Sequence, residues 1–180
     1  MKTIIKLLFV LPLSLWLFTC GGSDDSNDSQ PPSTEVFVNY SVSGNSKNGT
    51  FNITDDENSA GQNVYGLIAP NADGNAVIVE YLDGNQLMSV SFAAPAVVGT
   101  YEITDNSPYG YNIGFGFEDI SLQASAVSIN ITAIEFNGVV LEHIKGSFTG
   151  TAMYTHTING DEVEEPHLVD GTFEYNAPSF

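Results

Sequence analysis

The chain has 180 residues, 22 of them acidic against four basic ones, for a formal net charge of −18. So acidic a chain repels phosphate backbones and anionic headgroups, which excludes nucleic-acid binding and electrostatic docking on a membrane. One cysteine, Cys20, excludes an intrachain disulfide or a multi-cysteine zinc site, and 42% hydrophobic residues is too many for a disordered chain.

Residues 1–19 open with Lys2 and Lys6 and continue as an apolar run interrupted by Pro12 and Ser14. The run is shorter than the roughly 20 apolar residues that span a bilayer, which is the pattern of a cleaved signal peptide. Its removal takes two lysines and no acid, so the mature chain is more acidic still. Leu17-Phe18-Thr19-Cys20 resembles the lipobox of bacterial lipoproteins, with Phe18 and Thr19 where small residues are usual. The resemblance implies that Cys20 is lipidated, becomes the first mature residue and anchors the protein to the outer membrane. Each buried acyl methylene contributes about 0.8 kcal/mol, so several chains together hold stably. Residues 21–34 lack aliphatic and aromatic side chains and read, with Cys20, as a lipidated flexible acidic tether ending in the stiff pair Pro31-Pro32. Within it Ser23, Asp24 and Asp25 resemble the export signal of Bacteroidota lipoproteins. That implies display on the cell surface; the alternative is a lipoprotein facing the periplasm.

From residue 35 to 180 the pattern becomes period two, and a single all-β domain is predicted. Val36, Val38, Tyr40 and Val42 alternate with Phe37, Asn39, Ser41 and Ser43. Strands follow near 49–54, 64–69, 76–82 and 86–93, with residues 70–75 as a loop between two of them. Asp83-Gly84, Asn137-Gly138 and Asn159-Gly160 read as two-residue hairpin turns, because such pairs tolerate positive φ. Pro95 and Gly99 interrupt the apolar stretch 92–100, which leaves room for one helical turn. Residues 110–117 read as a strand with bulges or close backbone approach, and 168–175 as a closing strand. Short strands separated by turns predict an antiparallel β-sandwich; a lipocalin-like β-barrel is the alternative.

The C-terminal third carries a further resemblance. Ile129, Ile131 and Thr132, then Gly146, Phe148, Gly150 and Thr151, then Asp170, Gly171 and Phe173 look like the strand motifs of uncharacterised Bacteroidota lipoproteins with a small all-β domain. The resemblance implies fold and address, and it brings no activity.

The chemistry-bearing residues are few. Gly146-Ser147-Phe148-Thr149-Gly150 has the wrong spacing for a nucleophile elbow, and no phosphate-binding glycine loop occurs. His156 and His167 flank a segment containing Asp161, Glu162, Glu164 and Glu165, so an open loop there would place two imidazoles among acids, a donor set suited to zinc. A solvated acidic loop is the favoured alternative, and no metal is expected. Calcium, an oxygen-seeking ion, would suit the acidic stretches 55–58, 71–75 and 161–165, though none completes an EF-hand loop. Paired carboxylates with Tyr109, Tyr111 and Phe115 as a stacking surface would suit a glycan hydrolase; alternating aromatics are more often one face of a core strand. The sequence therefore points to a non-catalytic binding or structural module at the cell envelope, with a glycan or protein partner. A carboxylate-based glycan hydrolase and a lipocalin-like carrier of a small apolar ligand are the alternatives.

Overall fold

The computed structural model describes residues 35–55, 64–71, 74–85 and 87–177. Cys20, Ser23, Asp24 and Asp25 lie outside them. The chain forms β1 (Phe37–Ser43), β2 (Asn48–Thr54), β3 (Val64–Asn71), β4 (Gly74–Leu82), β5 (Met88–Pro95) and β6 (Gly99–Thr104). A 3-10 turn at Pro108–Gly110 precedes β7 (Asn112–Phe117), β8 (Ser121–Asn137), β9 (Val140–Ile158) and β10 (Asp161–Asn176). Every pairing is antiparallel, in the order β2-β1-β10-β9-β8-β7-β5-β4-β3, with β6 also paired to β8. The fold is all-β and antiparallel, a single curled sheet that packs on itself as a sandwich or half-barrel does.

The curl begins at a bulge. Along β8 the buried residues are Leu122 and Ala124, then Val127, Ile129 and Ile131, so the inward parity changes across Ser125. The register with β9 slips there, between Ala124 and Ala126. An extra residue bends the strand and re-aims its side chains. Before the bulge β8 pairs with β7 through residues 121–123; after it, the same edge pairs with β6 through 126–131. The long strands thus divide the sheet into one side built of β2, β1, β10, β9, β8 and β6, and another of β7, β5, β4 and β3.

Large rings fill the space between the two sides. The Phe92 and Phe173 rings lie 4.7 Å apart, Phe115 and Phe148 5.4 Å, and Tyr40 and Phe115 5.8 Å. Gly66 lets edge strand β3 close over β9 and β10, because a Cβ there would fall 2.6 Å from the Tyr175 ring and 2.8 Å from Leu141. The Tyr175 hydroxyl hydrogen-bonds the Gly66 backbone at this contact. Burial of these aliphatic and aromatic side chains is the main source of stability, at about 1.5–3 kcal/mol for each fully buried one.

The turns are shorter or longer than their sequences suggest. Asn159 and Gly160, at φ 55° and 93°, form the expected two-residue turn. The β8–β9 turn is shifted by one residue, to Gly138 and Val139: Asn137 pairs with Val140, and only Gly138 has positive φ. Asp83-Gly84 is not a two-residue turn. Asp83 closes a longer loop, its N–H donating to the Met88 carbonyl and its carboxylate accepting from the Met88 N–H. The loop expected at 70–75 narrows, because Pro70 pairs with Asn75 and Asn71 with Gly74. Proline is tolerated there because β3 is an edge strand. No helical turn forms between β5 and β6.

Candidate functional site

The histidine hairpin does not bring its residues together. The segment between His156 and His167 is strand, not an open loop: His156 pairs with Val163, Asp161 with Ile158 and His167 with Ala152. His167 is fully buried, and the Lys47 N–H donates to its Nε2 at 3.2 Å. Its Nδ1 therefore carries the proton and donates to the Glu165 carbonyl at 3.1 Å. Neither nitrogen has a lone pair left for a metal. Gly44 roofs the ring, since a Cβ there would come within 2.2 Å of it. His156 stacks on Tyr154 with centroids 4.6 Å apart, and its Nδ1 has no hydrogen-bond partner among the described residues. Asp161 is exposed at the tip. Among the described residues, no three His, Cys, Asp or Glu side chains stand close enough to share a metal ion.

The acidic stretch 161–165 also folds as strand, with neighbours on alternate sides. The other two calcium candidates rest partly on residues outside the described ones. Glu165 ties β10 to the β1–β2 turn, since its Oε1 and Oε2 accept from the Ser46 N–H and Oγ at 2.8 and 2.5 Å. The Ser46 hydroxyl bond holds its carboxyl below the usual range.

The proposed sugar-stacking surface is not formed either. Phe115 is wholly buried and Tyr111 nearly so, while Tyr109 stands exposed in the 3-10 turn at φ 64°. Alternation put the rings of β7 into the core.

The feature that sequence reading missed is the outer side of β2, β1, β10, β9, β8 and β6. Pairing aligns Asn52, Asn39, Thr172, Ser147, Asn130 and Thr100 in one row across six strands. The next row is Thr50, Ser41, Asp170, Thr149, Ser128 and Glu102, and the third is Asn48, Ser43, Leu168, Thr151, Ala126 and Thr104. All are exposed or half-exposed. Strands lie about 4.8 Å apart, so a row of six spans about 24 Å, and successive rows are about 6.7 Å apart. Some side chains join within a row: Thr100 Oγ1 donates to Asn130 Oδ1 at 3.0 Å, and Asn52 Nδ2 donates to Asn39 Oδ1. A depression of about 310 Å³ sits on this face, lined by Ser41, Ser43, Thr149, Thr151, Leu168 and Asp170 and floored by Gly150 and Val169. Asp170 and Glu102 are the only charged residues of the three rows. Three strand spacings separate them, roughly 14 Å.

Glu174 borders the face and is 3% exposed. Lys145 Nζ donates to its Oε2 at 2.9 Å, and His143 Nε2 lies 3.3 Å from its Oε1. The two bases compensate a carboxylate removed from water, so this is a structural clamp.

No family model, curated protein or solved structure matches the chain.

Proposed function

We propose that the protein is a lipoprotein anchored at the outer membrane through Cys20, carried to the cell surface by Ser23, Asp24 and Asp25, with a β domain that binds a ligand without catalysis. The observation that supports binding is the three-row outer face, where most positions are uncharged hydroxyl or carboxamide side chains in a chain of net charge −18. These hydroxyls and carboxamides face outward and are exposed or half-exposed, not buried in packing. Glycoside hydrolysis needs two carboxyl groups about 5–9.5 Å apart, and the Asp170–Glu102 spacing is too wide for it. A carrier of apolar ligands needs a cavity inside the curl, where the rings of Phe92, Phe115, Phe148 and Phe173 instead pack on one another.

The address is tested by labelling cells with radioactive palmitate and treating them intact with protease. Wild-type protein takes up label and is cleaved while a periplasmic control survives; Cys20→Ala takes up none. Full protection of wild-type protein would place it in the periplasm instead. Replacing both Asp24 and Asp25 by Ala should convert cleavage into protection.

A further inference from the structure

We infer that the depression on the outer face is a subsite for a soluble, uncharged polysaccharide whose chain lies across the strands, along the rows. This rests on the binding-module reading above.

The side chains of the depression supply the parts that sugar recognition requires. The two oxygens of Asp170 accept from adjacent ring hydroxyls. The hydroxyls of Ser41, Ser43, Thr149 and Thr151 donate and accept. Leu168, 64% exposed on a mostly polar face, offers an apolar contact to the C–H side of a sugar ring. Its exposure has no counterpart in the core, since β10 turns Val169 inward and Leu168 outward.

The charge pattern narrows the ligand. An acidic polysaccharide would meet Asp170 and the field of a strongly negative chain. A cationic ligand would favour a cluster of acids, and the rows hold only Asp170 and Glu102. A protein partner would favour buried aromatic or arginine anchors, and the rows have neither.

Geometry narrows it again. The strand spacing of about 4.8 Å is close to the length of one sugar residue in an extended chain, so each sugar meets about one side chain of a row. At the usual angle of about 20–25° between adjacent strands, the outward direction of a row twists by roughly 100–125° over five steps. A single chain follows that turn, and the flat surface of a crystalline polysaccharide does not.

The test is native affinity electrophoresis of the full chain in non-ionic detergent, in gels containing mixed-linkage β-glucan, galactomannan or polygalacturonate. Adsorption to microcrystalline cellulose and release of reducing ends are measured on the same samples. The expected result is retardation by at least one neutral soluble polymer and none by polygalacturonate, with little adsorption to cellulose. Affinity should fall tenfold or more both in a Leu168→Ala/Asp170→Ala variant and in Thr149→Asp, with melting temperatures unchanged. Absence of retardation by both neutral polymers overturns the inference. So does retardation by polygalacturonate alone, or equal retardation of wild type and folded variants. New reducing ends, lost in the variants, would overturn the non-catalytic reading and leave the subsite where it is placed. Absence of retardation from a chain that still takes up palmitate would remove the polysaccharide and keep the anchored protein.

Discussion

The two sides of β1, β8, β9 and β10 are made by the same strands and differ only in which alternate residue they show. Inward stand Val38, Tyr40, Ile129, Phe148 and Phe173, at most 2% exposed, and the rings of Tyr40, Phe148 and Phe173 meet Phe115 and Phe92 from the opposite side of the curl. Outward stand Asn39, Ser41, Ser128, Thr149 and Thr172, exposed or half-exposed and without a core to pack against. Stability is concentrated on one side, which leaves the other free to be chosen for what it touches. The exception is Glu174, an outward residue of β10 that is nonetheless buried, and it is the one with two basic partners.

The largest effect that probes this difference is expected at Phe148. Phe148→Ala removes a ring from between Phe115 and Phe173 and should destabilise the domain by about 3–5 kcal/mol, read from urea denaturation. Its neighbour Thr149→Val should change stability by no more than about 0.5 kcal/mol. Similar losses at both positions would break the division.

Lys145→Met should cost about 1–2 kcal/mol. The full penalty of stripping a buried carboxylate is reduced because Lys145 is half exposed and His143 remains. In a Glu174→Leu background the same substitution should lose most of its effect, as a double-mutant cycle would measure.

Alkaline pH separates the sides differently. Burial raises the Tyr40, Tyr81 and Tyr175 phenols above the ordinary value near 10, with Asp83 adding to Tyr40 and Glu174 to Tyr81. A phenol whose pKa is raised by folding contributes stability that is complete below the unfolded value and is lost as pH rises past it. Absorbance titration should show these three ionising late, with unfolding. Their ionisation at pH 10 in the folded protein would show an interior open to water.

The smallest effect lies at the β1–β2 turn. Ser46→Ala removes the bond that holds the Glu165 pKa down, so it should rise toward 4.5 in a carboxyl NMR titration. A carboxyl whose pKa is lowered contributes stability above the ordinary value, lost as pH falls through the lowered one, so any effect on stability should be present from mildly acidic pH upward and vanish in strong acid. An unmoved pKa would mean that another group sets it.

Alternation made the strands and most of the core legible: Val38, Tyr40 and Val42 on β1, and Val169, Phe173 and Tyr175 on β10, are inward as their spacing implies. Asn159-Gly160 announced its turn because only a few residue types accept positive φ in succession. Register was not legible. Strands with a Ser, Thr or Asn at alternate positions can be read one by one, but nothing local says that Asn39, Thr172, Ser147 and Asn130 fall in one row. That alignment depends on turn lengths and on the bulge at Ser125, where β8 itself has no glycine or proline to mark the slip. The burial of Glu174 was hidden for the same reason, since its partners lie 29 and 31 residues away. The separation of the two histidines was not legible either: residues flanking a turn are near in sequence, whereas in a hairpin this long the strand carries His167 away from His156.

The division proposed here, an outer face that binds and an inner face that stabilises, is tested most directly by backbone amide NMR. The protein is titrated with the neutral polymer that retards it most. Shifts are expected only in the rows around Ser41, Thr149, Leu168 and Asp170, with the β9–β10 hairpin tip and the inward residues unmoved. Shifts centred on Tyr154, His156 and the tip, or spread through the core, would contradict it.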